Sequence, residues 1–457
     1  MEHYDLVIIG AGSGNSIIGP AFDHWKIAIV EEWVFGGTCL NRGCIPTKMM
    51  VHPADLVQSA SHSSALGVDL SIDAVRWVDI RDRVFGRIDP IAAGGTRYRT
   101  FECPNVTVHA GHGRFIGPRQ LEVTTPDGVV QIEGAQVVLA AGARPLIPDI
   151  PGLAEVGYFT SDDIMRADEV PEHLIVLGGG FIACELAHVF GSYGAQVTIV
   201  QRSELLLRAE DHDVAAAITA AFAQRFDLRL GVTVARVERV GEHVLVHLSD
   251  GSTVEGSHIL VATGRVPNSD TVDAAAGELA MHPDGRVVAD ATGATSVPGV
   301  WALGDISSPY MLKHVANHEC RVVAHNLAHP EALRTFNHHA VPHAVFTNPQ
   351  IAAVGLTEAE ARAQGIDVMV KVQRYGDVAY GWALEDSTNF CKLIADRATR
   401  TLVGAHIIGP HASSLIQQLI QGMAFGTTVD DMATGQYYIH PALPELVENA
   451  LLGFPSA

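Results

Sequence analysis

Short apolar runs broken by glycine-rich turns dominate the first two thirds of the chain. Residues 4–9 (YDLVII), 27–30 (IAIV), 137–142 (VVLAAG) and 300–305 (VWALGD) are almost uninterruptedly apolar and only four to six residues long. That length and texture predict strands covered on both faces, as in a parallel sheet, not strands with one face in water. A second series of the same kind occupies residues 174–177 (LIVL), 197–200 (VTIV) and 259–268 (ILVATGRVPN). From residue 338 the texture changes. Runs such as HAVFTNPQIAAVG and KLIADRATRTLVGAHIIG mix apolar, polar and glycine positions and predict an antiparallel sheet with helices. The chain therefore reads as α/β, with two units of strand–turn–helix type and a C-terminal α+β domain. At about 150 residues per domain, its 457 residues suit roughly three domains.

The turns between these runs carry the first chemical signal. Gly10-Ala11-Gly12-Ser13-Gly14-Asn15 follows the first strand, a helix is expected next, and Glu31 ends the second strand. A tight turn at Gly10 and close backbone approach at Gly12 suit a dinucleotide pyrophosphate at a helix N-terminus, with Glu31 on the ribose hydroxyls. Asn15 stands in the third glycine slot, and Gly19-Pro20 should end or bend that helix early. Gly178-Gly179-Gly180-Phe181-Ile182-Ala183 repeats the turn before a helix expected over residues 184–193. Two such units in one chain suit two dinucleotides. The second strand of the repeat ends on Gln201 and Arg202, with Arg208 six positions on, instead of the acid that an NAD-preferring site carries. Two guanidinium groups suit the 2′-phosphate of NADPH. Asp305, after ALG at a strand end, suits the ribityl hydroxyls or phosphate of a flavin. Residues 311–316 would start a helix whose N-terminus, with Lys313, could face the flavin's pyrimidine oxygen.

Between the first unit's strands lies GGTCLNRGCIPTK, residues 36–48. Cys39 and Cys44 fit no usual zinc spacing, and neighbouring glycines permit close approach to a flat cofactor. A helix start here would favour the thiolate. Lys48, one helical turn beyond Cys44, would set a cation near a reduced flavin, and Glu185 could pair with it. The chain closes on YIHPALPE, where a histidine, His440, is followed by Glu445; a carboxylate that fixes the tautomer and raises basicity makes a general base. His338, His339 and His343 read as loop and core histidines, so no metal site is expected.

Composition narrows the setting. A net charge of −21 argues against nucleic acid and anionic membrane surfaces. Six cysteines in a chain this long do not form a disulfide scaffold, and Cys103, Cys184, Cys320 and Cys391 sit in apolar or mixed surroundings. No signal peptide and no run of about 18–20 apolar residues is visible, so a cytoplasmic protein is expected. In a reducing cytosol a close cysteine pair is more often catalytic than structural.

Taken in order, GAGSGN, GGTCLNRGCIPTK, GGGFIACE, ATGRVPN, ALGD, FTNPQIAAVGLTEAEA and HPALPE resemble the pyridine nucleotide–disulfide oxidoreductases, the group containing glutathione reductase and dihydrolipoyl dehydrogenase. The resemblance implies a glutathione reductase-like fold of two Rossmann-like domains and a dimerisation domain. Its parts would be an FAD-binding domain (1–149), an NADPH-binding domain (150–268), a central part completing the FAD domain (269–335) and an interface domain (336–457). FAD contacts are implied at Gly10, Gly12, Gly14, Glu31, Thr38, Lys48, Gly113, Ala141, Gly142, Asp305 and Lys313. NADPH contacts are implied at Gly178, Gly180, Phe181, Ile182, Glu185, Arg202, Arg208 and Gly264. Phe181 falls where relatives carry an aromatic gate over the flavin. Catalysis would rest on a Cys39–Cys44 redox disulfide, with Cys39 as interchange thiol and Cys44 in contact with the flavin. His440 and Glu445 would serve the pair of the other subunit of a homodimer, the substrate being a small-molecule disulfide. Gln201 and Arg202 speak against dihydrolipoyl dehydrogenase. Mercuric and high-molecular-weight thioredoxin reductases need a further cysteine pair, which nothing after Cys391 supplies.

Overall fold

The computed structural model describes residues 1–456, which divide into two compact units. The first comprises residues 1–47, 79–146 and 264–338. Its main sheet runs Val106–Ala110, Ile27–Glu31, Glu2–Ile9, Gly128–Leu139, Gln120–Thr125, His112–Gly117, and Val300–Ala302 also pairs with Gly128–Leu139. The strands from the apolar runs are parallel to one another. Alternate residues of these strands enter different cores. Leu6, Ile8, Ile27, Ile29 and Val138 join one cluster, and Val7, Ile9, Ala28, Val30 and Val137 join the other. Both faces are buried, which is why the runs lack polar alternation.

One expected helix is absent. After Gly10–Asn15 the chain makes two 3₁₀ turns, Gly14–Ile17 and Pro20–Phe22, before the strand Ile27–Glu31. Gly19 is extended, as proline requires of the residue before it, and Pro20 has no N–H to donate to a helical bond. Asn15 is accommodated by Arg99, whose Nε donates to its Oδ1 at 2.8 Å and whose Nη2 donates to its carbonyl at 3.1 Å.

The second unit comprises residues 48–78, 147–263 and, of the described residues, 339–456. A parallel sheet of Asp227–Leu230, Gln196–Gln201, His173–Leu177 and His258–Val261 follows the second glycine-rich turn's pattern. Here the helix does form, over Phe181–Ser192, three residues earlier than the spacing suggested, with Gly180 as its cap. A three-stranded antiparallel sheet (Val234–Val240, His243–Leu248, Thr253–Gly256) joins it. The C-terminal part holds a five-stranded antiparallel sheet in the order Pro342–Val345, Ile351–Gly355, Leu402–Ile408, Phe390–Asp396, Val368–Arg374. Helices Ala412–Ala424 and Pro444–Leu452 bury Leu415, Leu419, Leu446 and Val447 in its core. Residues 48–78 group with this unit through the helix Cys44–His62 and through Trp77. The Tyr193 hydroxyl donates to the Met50 carbonyl, and the Trp77 ring lies 5.4 Å from Phe190.

Candidate active site

Cys39 lies in the short helix Gly37–Asn41 and Cys44 is the first residue of the helix Cys44–His62. The connection is held by its own backbone. Asn41 donates to the carbonyls of Phe35 and Gly37, both at 3.0 Å, and Thr47 Oγ1 donates to the Gly43 carbonyl at 2.7 Å. Thr38 accepts from the Arg42 N–H at 3.0 Å through its carbonyl. Cys39 is half-buried and Cys44 exposed. A first-turn position puts the Cys44 sulfur at the positive end of a 19-residue helix, which favours negative charge there. The other four cysteines are buried, and burial pushes the Cys320 thiol up to about 11 and those of Cys184 and Cys391 higher still.

In the first unit the dinucleotide residues converge on the C-terminal ends of the parallel strands. Gly10, at φ +99°, lies so close to the next strand's end that a Cβ would come within 2.4 Å of the Ala140 carbonyl oxygen. A Cβ on Gly37 would come within 2.8 Å of Gly12 Cα, and the Gly36 N–H donates to the Ala11 carbonyl at 3.0 Å, so turn and cysteine loop meet backbone to backbone. Glu31 accepts from the N–H groups of Ala11 (2.7 Å) and Trp33 (2.9 Å). Burial raises its pKa, and those two donors oppose the rise. Asp305, likewise raised by burial, is drawn back by Arg265 and Lys313. Lys313 opens the helix Lys313–Ala328 and donates to Ser13 Oγ at 2.7 Å. Gly14 and Gly113 pack against Ala140 and Val30, while Ala141 and Gly142 follow the strand Gly128–Leu139. Crowded glycines, inward carboxylates and a lysine at a helix start fit the pyrophosphate and ribityl parts of FAD.

In the second unit Gly178 repeats the Gly10 arrangement, at φ +112°, where a Cβ would come within 2.4 Å of the Ala262 carbonyl oxygen. Gly180, Phe181 and Ile182 start the helix there, and Phe181 is exposed. Arg202 and Arg208 are both exposed beyond the strand Gln196–Gln201. This fits a phosphorylated dinucleotide. Lys48 Nζ lies 2.6 Å from Glu185 Oε2, and Glu185 Oε1 accepts from the Phe346 N–H at 2.9 Å. Gly264 groups with the first unit, where its carbonyl accepts from the Leu146 N–H. His440 Nδ1 lies 2.7 Å from Glu445 Oε1, while Glu445 Oε2 accepts from the Ala442 N–H at 3.2 Å. His440 holds the Glu445 carboxyl below the usual carboxylate range. The ring is exposed, so Nε2 is open to a partner from outside the chain.

Some functional positions carry no motif. Glu319, buried in the helix Lys313–Ala328, accepts from the Gly304 N–H at 2.7 Å and so sets the turn carrying Asp305. Its only sequence signal is an acid on a mostly apolar helix face. His338, His339 and His343 turn to separate partners: Glu319, the Met423 carbonyl and Glu210. Among the described residues no group of His, Cys, Asp or Glu is placed to hold a metal ion.

Comparison with known proteins decides the family. The family described as pyridine nucleotide-disulphide oxidoreductase matches residues 4–320, and its dimerisation domain matches residues 341–451. The chain belongs to this family. It is 51% identical over 460 residues to mycothione reductase of Mycobacterium tuberculosis (strain ATCC 25618 / H37Rv), covering 99% of this chain and 100% of that protein. Identity is 32% to glutathione reductase of Burkholderia cepacia, over 97% of both chains. Among solved structures, the Cu(II) complex of the HOCl-induced flavoprotein disulfide reductase RclA from Escherichia coli superposes with a TM-score of 0.88 at 27% identity, over 99% of both chains. The fold is therefore glutathione reductase-like, the chain is an oxidoreductase acting on disulfides, and the family's cofactors are FAD and NADPH. The dimerisation domain supports a homodimer with a small-molecule disulfide substrate. No helix of the described residues is long and apolar enough to cross a membrane.

Proposed function

We propose that this chain is an NADPH-dependent flavoprotein that reduces mycothione, the disulfide of mycothiol, to the thiol. The 51% identity to mycothione reductase over the whole chain carries the substrate assignment. In this reading residues 1–149 and 269–335 hold FAD, residues 150–268 hold NADPH, and residues 336–457 form the dimer interface of a cytoplasmic enzyme that binds neither nucleic acid nor membrane. Gly10, Gly12, Glu31, Asp305 and Lys313 hold the flavin dinucleotide, and Gly178, Gly180, Arg202 and Arg208 hold NADPH. The bound cofactors together supply the two electrons that open the Cys39–Cys44 disulfide.

The chain's own residues then carry the exchange. The Cys39 thiolate attacks one substrate sulfur, breaking the substrate S–S bond and forming a mixed disulfide. The departing thiolate takes a proton from the His440 of the partner subunit, whose tautomer Glu445 fixes through Nδ1. Cys44, kept as thiolate by its helix terminus, attacks Cys39 Sγ. That step restores the intramolecular disulfide and releases the second thiolate, which is protonated in turn. Lys48 balances negative charge beside the cofactor, and Glu185 holds it there. The test is NADPH oxidation with mycothiol disulfide, glutathione disulfide and lipoamide side by side. Turnover confined to mycothiol disulfide is expected; turnover confined to either of the others would reassign the enzyme to glutathione reductase or dihydrolipoyl dehydrogenase type.

A further inference from the structure

The helix Cys44–His62 is tied to the helix Phe181–Ser192 and its end at more points than Lys48. Lys48 meets Glu185 at 2.6 Å, Asp55 Oδ1 meets His188 Nε2 at 2.9 Å, and Gln58 Nε2 donates to Ser192 Oγ at 3.1 Å. The partners advance together along both helices, so the two run parallel with Lys48 and Glu185 toward their N-terminal ends.

His188 is the buried centre of this ladder. Its side chain is wholly inaccessible, and it lies one turn beyond Glu185. Arg225 Nη1 stands 3.2 Å from His188 Nδ1, and Arg225 Nη2 donates to Ser192 Oγ at 3.2 Å. A guanidinium only donates, so Nδ1 must present its lone pair, and the proton sits on Nε2 and goes to Asp55. Burial lowers the imidazole's pKa, which agrees with a neutral ring. Arg225, drawn down by burial to about 10, also lies over the Phe226 ring. A neutral histidine thus joins a carboxylate on one helix to a cation from another segment, with each polar atom of the imidazole engaged. A neutral buried imidazole has one donor and one acceptor to satisfy, and here the two partners are of opposite charge, which fixes both tautomer and ring orientation.

Resting on the reading of the preceding subsection, we propose that His188 is a positioning residue, which through Asp55 and Arg225 sets the register of Lys48 against Glu185. Glutamine is the informative replacement, because its amide can donate to Asp55 and accept from Arg225, whereas leucine can do neither. In the holoenzyme, His188→Leu should slow reduction of the bound flavin by NADPH about 10–100-fold, as a displacement of about 1 Å does at a reacting centre. Oxidation of the pre-reduced enzyme by disulfide should stay near the wild-type rate. The reduction potential of the bound flavin should move to more negative values as Lys48 drifts. His188→Gln should restore both quantities. If His188→Leu does not fold, Asp55→Ala against Asp55→Asn gives the same contrast. Equal slowing of both half-reactions, an unmoved potential, or no rescue by the amide would overturn the proposal. A wild-type protein whose NADPH-reduced form is reoxidised by none of the three disulfides would instead overturn the reading on which it rests.

Discussion

His440 and Glu445 show how little a single side chain does alone. The imidazole is a base of defined tautomer only because Glu445 occupies Nδ1, and Glu445 is itself steadied by the Ala442 N–H. Replacing His440 by Gln should slow turnover of the disulfide about 10²–10⁴-fold. Reduction of the cysteine pair by NADPH should persist, which rapid-mixing absorbance would show; loss of both would mean that His440 supports the fold instead. Arg202 and Arg208 make a second residue-scale case. Both are exposed and lie just past a strand that ends in Gln201. Changing both to Ala should lower the ratio of kcat/KM for NADPH over NADH by about tenfold or more, since charge-assisted bonds to a phosphate contribute about 1.5–3 kcal/mol each. An unchanged ratio would place the phosphate elsewhere.

At the scale of elements, side chains far apart in sequence do the joining. Lys392, on the strand Phe390–Asp396, is buried among Asp211 (2.9 Å), Asp213 (2.7 Å) and Glu358 (2.9 Å). Burial opposes both charges, yet the lysine is pushed above its ordinary range by its three carboxylates, and Asp211 is held below its own by Lys392. The signs give the pH window. A depressed carboxylate stabilises above its unfolded pKa and loses that contribution as pH falls through the folded value. A raised lysine stabilises below its unfolded pKa and loses that contribution as pH rises through the folded one. The cluster should therefore contribute fully between about pH 4 and pH 10 and fade beyond either end. Lys392→Met, which strands a buried carboxylate, should cost about 3–5 kcal/mol at neutral pH, read from denaturant unfolding. A variant of wild-type stability would show that solvent reaches the cluster. Such links explain what the sequence hid. The apolar runs and the two glycine turns were legible because each is local, and Lys48–Glu185 because each partner lies beside a motif. The 3₁₀ turns in place of the first helix were half legible at Gly19-Pro20. The grouping of residues 48–78 with the second unit, Glu319 behind Asp305, and His188 between Asp55 and Arg225 depend on partners up to 143 positions apart, which no local periodicity encodes.

At the scale of the whole molecule, each subunit presents a cysteine pair and a histidine–glutamate pair, and the family's dimerisation domain offers the means to combine them. Dilution below the dimer's dissociation range should abolish disulfide turnover, and the proposal that sites are shared predicts that a mixture of Cys39→Ser and His440→Gln subunits regains part of it. The proposal that unites residue, element and assembly is that electrons from NADPH reach Cys39 and Cys44 and no other cysteines. Oxidised holoenzyme, treated with NADPH and then with an alkylating reagent, can be mapped by peptide mass spectrometry. Labels should appear on Cys39 and Cys44 only after NADPH, with Cys103, Cys184, Cys320 and Cys391 unlabelled. Labelling of Cys39 and Cys44 that NADPH leaves unchanged, in an enzyme that still turns over disulfide, would contradict a redox role for the pair.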